Sequence, residues 1–219
     1  MKIGTDGVLL GAWTSLKNNP FSILDIGTGT GIIALQIAQQ SNAEVIDAIE
    51  IDENAYEQCV DNFENSPWRD RLFCYHASFE EFVEEIEDKY DLIVSNPPFY
   101  AEDFKTEDQA RDLARFSEAL PFSELVEGVS KLLSENGIFS TIIPRKEEDL
   151  FLKIASEKKL FPNRICRVRG TENTAEKRSL LEFSFHKTEV LIENLIIEIS
   201  RHDYTEAYKN LVKDFYLKM

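Results

Sequence analysis

Strand-length apolar runs alternate with helix-period segments through most of this chain, and no other feature narrows its fold so far. The runs occupy residues 22–27, 44–51, 71–77, 91–96 and 137–144. Between them, apolar residues recur at helical spacing over 32–40, 53–65, 79–86, 122–133 and 147–158. Two further strand-like stretches follow, at 163–168 and 179–185. Alternation at this spacing predicts an α/β fold, a doubly wound, mostly parallel, seven-stranded Rossmann-like sheet with helices on both faces. Past His186 the pattern changes. Residues 190–199 are strand-like, and 203–217 carry apolar and aromatic residues on one side of a helical repeat. With no internal repeat and no low-complexity linker, the economical division is one domain over 1–219. Its core is 1–186, with a C-terminal strand and helix added at 187–219.

A sheet of this kind binds ligands along the carboxyl edge of its strands, and two motifs fall there. The first, "LDIGTGTGIIALQIA" from Leu24, puts Asp25 at a strand end and Gly27, Thr28, Gly29 and Gly31 in the turn into a helix. Glycines let that turn tighten and approach a ligand, while the helix start offers free N–H donors. Dinucleotide enzymes use such a turn too. An acid at the strand end, however, suits an ammonium or hydroxyl partner better than a pyrophosphate. Glu50, closing the next strand in "AIEID", is placed to accept from ribose hydroxyls, a role it would share with a nucleotide-cofactor site.

The second motif is "DLIVSNPPFY", residues 91–100. Asn96 supplies a carbonyl acceptor and Pro97 a second, while Pro97 and Pro98 fix φ and stiffen the turn. Phe99 and Tyr100 offer ring faces. Two acceptors beside a stacking surface suit an exocyclic amine on a flat group, either an adenine N6 or an amide nitrogen. Such an amine has a delocalised lone pair, and holding its hydrogens in acceptor bonds favours the pyramidal, nucleophilic form. The turn withholds N–H donors because the site wants acceptors.

In this order, "DIGTGTG", "AIEID" and "NPPF" resemble a class I S-adenosylmethionine-dependent methyltransferase of the amino-methylating kind. "MKIGTDGVLLGAW", "NSPWRDRL", "ARFSEALPFSEL" and "YTEAYKNLVKDFYLKM" extend the likeness over essentially the whole chain, to the tRNA1(Val) adenine-37 N6-methyltransferase family. The resemblance implies that Asp25, Gly27, Thr28, Gly29 and Gly31 cradle S-adenosyl-L-methionine, that Glu50 holds its ribose, and that Thr5, Asp6 and Gly7 lie near its methionine end. It implies that Asn96, Pro97, Pro98 and Phe99 hold the target adenine, with Asn96 also beside the cofactor. One position departs from the pattern: Ser78 stands where relatives often carry an Asp for the cofactor's adenine amine, and a hydroxyl replaces a carboxylate only in part. Met1 also falls where the family pattern is already internal, so an arm preceding Lys2 is expected in relatives.

Charge bears on the partner. The net charge is −16, which taken alone argues against nucleic acid. Residues 1–139 hold 9 basic and 27 acidic side chains, whereas 140–219 hold 15 and 13, a balance of +2. Arg164, Arg167, Arg169, Lys177 and Arg178 crowd one stretch of the second part and could track an RNA backbone, as Arg111 and Arg115 could after the NPPF turn. A solvated edge strand presents the same residues. Arg167 and Arg169 alternate with Val168, so they should point to one face. Partners expected from the reading are tRNA and S-adenosyl-L-methionine, with no metal, membrane or obligate protein partner.

Three separated cysteines and the isolated His76, His186 and His202 offer neither a disulfide framework nor a zinc set. Ser95 lacks a hydrolase context. No apolar run reaches the roughly 20 residues of a membrane span, and the first residues lack a cleavage signal, so a cytoplasmic protein is expected. Two other readings stay open: a protein glutamine N5-methyltransferase, whose amide nitrogen is also planar, and a catalytically silent cofactor- or RNA-binding module.

Overall fold

A computed structural model describes residues 4–98 and 120–217. Its elements in chain order are α1 (Thr5–Trp13), β1 (Ser22–Ile26), α2 (Ile32–Gln40), β2 (Val45–Glu50), α3 (Glu53–Glu64), β3 (Leu72–His76), α4 (Phe79–Glu85) and β4 (Tyr90–Ser95). After the undescribed residues come α5 (Phe122–Leu132), β5 (Leu133–Pro144), a 3-10 turn (Arg145–Glu147), α6 (Glu148–Glu157), β6 (Phe161–Arg169) and β7 (Glu176–Ser184). The chain closes with β8 (Leu191–Ile196), β9 (Glu198–Ser200), β10 (Asp203–Tyr204) and α7 (Glu206–Val212).

Strands β1 to β8 form one sheet in the order β3-β2-β1-β4-β5-β7-β6-β8. β7 runs antiparallel to both neighbours, and every other pairing is parallel. The sheet therefore has eight strands rather than the seven expected. The extra one is β8, the strand of the C-terminal stretch, which pairs with β6 from Arg164↔Leu191 to Arg169↔Ile196.

Each face carries its own core. On one side α1, α2, α3 and α7 pack Leu9, Leu10, Ile37, Phe63 and Val212 against Ile23, Ile46 and Val168. On the other, α4, α5 and α6 cover Ile93, Phe139 and Phe183. There Phe139 lies opposite Phe183 in register, ring centroids 5.9 Å apart, and Phe151 of α6 adds a third ring 5.7 Å from Phe183. α3 shows how the sequence sets such a helix. Asp52 caps it, accepting from the Ala55 N–H at 2.8 Å, and Ala55, Cys59 and Phe63 recur every fourth residue on its buried side.

α1 was not foreseen as a helix. Six of its nine residues are buried, so it lacks the polar stripe that reveals an amphipathic helix. Trp13 at its end stacks under Arg164, whose guanidinium carbon sits 4.2 Å above the ring centroid. Arg164 also bonds the Trp13 carbonyl at 3.1 Å and Glu193 at 2.6 Å, tying α1 to β6 and β8. All three cysteines are free thiols. Among the described residues no helix is long and apolar enough to cross a membrane, and no cluster of His, Cys, Asp and Glu could hold a metal ion.

Candidate active site

β1 and β4 are adjacent and parallel, with Ile26 opposite Ser95. The Ser95 hydroxyl donates to the Ile26 carbonyl at 3.0 Å, so the glycine turn and the Asn96-Pro97-Pro98 turn leave the sheet side by side. This is the juxtaposition the motifs need, and the register enforces it.

Within the glycine turn, Gly27, Gly29 and Gly31 all take φ between 60° and 80°, a region that side chains avoid. Two of these glycines serve different ends. A Cβ at Gly31 would strike Phe63 at 2.5 Å and the Cys59 sulfur at 2.9 Å, so its absence lets α2 start against α3. A Cβ at Gly27 would meet nothing within 4 Å. That side of the turn opens outward, where a ligand can lie against bare backbone.

Asp25 is fully buried beneath this turn. One carboxylate oxygen accepts from the Thr28 hydroxyl at 2.6 Å and from the Ala34 N–H at 3.2 Å, while the other, Oδ1, has no partner. Burial is the main reason its pKa is pushed up to about 7; the bonds from Thr28 and Ala34 pull the other way and do not prevail. Glu50 is more fully engaged. It accepts from the Gly29 N–H at 2.7 Å and from the Ile51 and Asp52 N–H groups at 3.0 Å each. The carboxylate therefore splints the glycine turn to the end of β2, and a hydroxyl bound there must share an oxygen with those amides.

At the β4 turn, Pro97 is buried and Pro98 exposed. The Asn96 carbonyl oxygen Oδ1 is buried and accepts no hydrogen bond from the described residues. An acceptor in that state carries a desolvation cost of roughly 1–3 kcal/mol, which a donor arriving from outside would relieve. Phe99, Tyr100, Arg111 and Arg115 lie outside the described residues.

Ser78 follows β3, as expected of the position, but its hydroxyl is already employed. It caps α4, accepting from the Glu81 N–H at 3.2 Å and donating to the Glu81 carboxylate at 2.8 Å, while that carboxylate takes the Ser78 N–H at 3.0 Å. This reciprocal box was legible in "SFEE" and was passed over. Also missed was Ile51, an apolar side chain 52% exposed immediately after Glu50. Its signal was an isoleucine at a strand end that ought to be polar.

α1 delivers Thr5, Asp6 and Gly7 to the same edge. A Cβ on Gly7 would touch Ile32 at 3.4 Å, which places the first turn of α1 beside the start of α2. Asp6 accepts from the Arg178 guanidinium at 2.8 Å.

Arg167 and Arg169 do share a face, as alternation required, but they face carboxylates. Arg167 grips Glu148 through two bonds, at 2.8 and 3.4 Å, and the Ser179 hydroxyl donates to the same carboxylate. Glu148 is buried. Burial alone would raise its pKa; Arg167, Ser179 and Arg145 outweigh that and hold it below its ordinary value. Arg145 and Arg169 both bind Glu176, at 3.2 and 2.9 Å. Arg164 belongs to the Trp13–Glu193 contact on the opposite face. Lys177 is exposed. The patch is thus a set of ion pairs at the strand ends, three arginines around Glu148 and Glu176, with Asp149 also acting on Arg167.

A family model described as the methyltransferase small domain matches residues 8–148. The chain belongs to that family. It is 65% identical to a tRNA1(Val) (adenine(37)-N6)-methyltransferase of Christiangramia forsetii, over 100% of this chain and 92% of that one. A protein of the same name from Flavobacterium psychrophilum is 63% identical over 100% and 94%. Among solved structures, a predicted O-methyltransferase, Atu636 from Agrobacterium tumefaciens, superposes with a TM-score of 0.72 at 16% identity. It covers 95% of this chain and 96% of that one, a likeness of fold alone. In family terms, the matched stretch holds the glycine turn, Glu50 and the Asn96 turn, and ends at Glu148.

Proposed function

We propose that this chain transfers a methyl group from S-adenosyl-L-methionine to N6 of an adenine in tRNA, at position 37 of tRNA1(Val). The observation that carries the reading is the buried, unpartnered Oδ1 of Asn96, standing beside a glycine turn whose outer side is open. Family membership and two tRNA1(Val) (adenine(37)-N6)-methyltransferases at 63–65% identity support the substrate.

The residues at this edge fit the cofactor. Gly27 leaves room for it against the backbone, Glu50 offers carboxylate oxygens for ribose hydroxyls, and exposed Ile51 offers an apolar face to its adenine. Asp25 Oδ1, buried and without a partner, stands below the turn as a carboxylate for the methionine ammonium or for a water bound to it. Ser78 contributes a cap and little else, so selectivity for the cofactor's adenine amine rests on its neighbours. The cofactor supplies an electrophilic methyl carbon on a sulfonium.

Asn96 does the rest. Its Oδ1 accepts an N6 hydrogen, with the Pro97 carbonyl as the second acceptor. Held by both hydrogens, the amine pyramidalises and its lone pair is freed for attack. As the nitrogen gains positive charge, both bonds strengthen, so the acceptors bind the transition state more tightly than the ground state. The departing proton passes to solvent, and no strong base is required. Phe99 and Tyr100 would flank the base, which must leave the anticodon-loop stack to reach this edge. The exposed Lys177 would take a phosphate, with the ion-paired Arg145, Arg167 and Arg169 near it. The site needs no metal, and a cytoplasmic location suits the substrate.

The test is methyl transfer from labelled cofactor to a tRNA1(Val) transcript, to the same transcript with guanine at position 37, and to a release-factor protein. The reading expects label in the first alone. Label in the guanine transcript would move the target, and label in the protein would replace the substrate class.

A further inference from the structure

Beyond the target-adenine site, the carboxyl edge carries a second recess that the reaction leaves unused. It is a cavity of about 310 Å³ walled by Tyr204, Tyr208 and Tyr216, with Glu198, Gly170 and Thr5 at its margin. Three observations define its chemistry. The walls are aromatic: Tyr204 and Tyr208 stand with centroids 5.3 Å apart and planes inclined at 36°, and the Tyr208 and Tyr216 hydroxyls meet at 3.5 Å. The rim holds acceptors: one oxygen of Glu198 takes the His202 N–H at 3.2 Å, and the carboxylate sits at the cavity's margin. Two ion-paired arginines stand beside the approach: Gly170 follows Arg169, which binds Glu176, and Asp6, next to Thr5, holds Arg178.

The cavity is separate from the cofactor edge. The first turn of α1 stands between them, Gly7 facing Ile32 at the start of α2 and Thr5 facing the tyrosines. It is also at the right place to share a ligand with Asn96. From β4 to β6 the sheet order takes three steps, through β5 and β7, or about 14 Å at the usual strand spacing. Arg145, Arg169 and Arg178 lie along that span. A short unstacked run of nucleotides can bridge it, its phosphates sharing those arginines with Glu176 and Asp6.

Resting on the tRNA reading above, we propose that this cavity receives a second unstacked base of the same anticodon loop, stacked on Tyr204 and Tyr216 with its N–H donors toward Glu198. Stacked aromatics with polar rims are how proteins hold splayed loop bases. Clamping two bases at once splits the work of opening the loop between two sites, so the target adenine is presented with its neighbour already out of the stack.

The test uses the full chain and tRNA transcripts in which each anticodon-loop nucleotide other than the target is made abasic in turn. One abasic position should raise KM of the wild-type protein about tenfold, a typical loss for one base–aromatic stack, with kcat little changed. Tyr216→Leu should carry that penalty on intact tRNA and show no further loss with that abasic transcript, whereas Tyr216→Phe, which keeps the ring, should match wild type. Tyr204→Leu serves as the second ring-removing variant, and the abasic series on the wild type decides alone should neither variant fold. If methylation proceeds and no abasic position stands out, the cavity holds no base, while the activity stands. A raised KM in Tyr216→Leu with no abasic counterpart assigns the tyrosines to another partner and overturns the proposal. Weakened S-adenosylmethionine binding in that variant makes the cavity part of the cofactor site and does the same. No transfer by the wild type to any RNA overturns both this proposal and the activity beneath it.

Discussion

Replacing Asn96 with alanine should move activity and stability in opposite directions. In the resting protein Oδ1 is buried without a donor among the described residues, a standing cost of roughly 1–3 kcal/mol. Alanine removes the acceptor and with it part of that cost. At about 2–4 °C per kcal/mol for a chain of this size, the Tm should hold or rise by a few degrees. In the proposed transition state the same oxygen would face a nitrogen becoming positive, and losing one preorganised group of that kind costs on the order of 10²–10³-fold in kcat. Cofactor affinity should change little, because the glycine turn and Glu50 are untouched. Single-turnover methyl transfer at saturating tRNA, calorimetric titration of the cofactor and a thermal scan together read all three quantities. A kcat within a few-fold of wild type would refute the acceptor role. So would a fall of several degrees in Tm, which would make Asn96 a strut of the β4 exit rather than a waiting acceptor.

Asp25 gives a pH test: with its pKa pushed from 3.8 to about 7 by burial, the folded state keeps a proton that the unfolded chain has lost. Stability attributable to this group therefore falls as pH rises through that window and levels off above it; Asp25→Asn should abolish that slope in denaturant titrations run at several pH values. Ser78→Ala should cost about 1 kcal/mol through the lost cap of α4 while cofactor KM stays within a few-fold, and Ser78→Asp should keep the cap; a large cofactor effect with an unchanged Tm would reverse that assignment. Arg167→Glu sets a second carboxylate against buried Glu148, a break expected to cost roughly 3 kcal/mol or more, so it should report as unfolding in a thermal scan rather than as lost RNA affinity. Exposed Lys177→Glu should leave the Tm alone and flatten the salt dependence of tRNA binding by about one unit; parallel salt plots would remove Lys177 from the RNA footprint.

What could be read from the sequence was what is local. The glycine turn, the acid closing β2 and the Asn96-Pro97-Pro98 exit are short motifs whose backbone demands show in their residue types, and β1 and β4 had to be neighbours for them to meet. α1 escaped because periodicity needs a polar side, and this helix is buried nearly all round. β8 looked like a strand, but only its register with β6 makes it the eighth member of the sheet, and register between segments so far apart in sequence is a tertiary choice. The arginines show the same limit. Alternation correctly set Arg167 and Arg169 on one face, while the Glu148 and Glu176 that meet them come from other elements, so a stripe that looked free to bind phosphate is largely spoken for.

α1 has a history that its neighbours lack. Its apolar surface, with Val8, Leu9, Leu10 and Trp13 all buried, emerges from the ribosome well before the groups that pin it in place. Arg178 holds Asp6 across 172 residues, and Glu193 meets Trp13 across 180. At usual rates of synthesis the delay is on the order of ten seconds or more. Contacts of such long range slow folding, and they leave a sticky helix waiting on a nascent chain. The Thr5–Gly7 turn is fixed at the carboxyl edge of the sheet only once β6, β7 and β8 have been made and closed over it. A ribosome-stalled chain ending at Ser95 would therefore carry the glycine turn complete in sequence, with an uncovered α1 for a chaperone to hold.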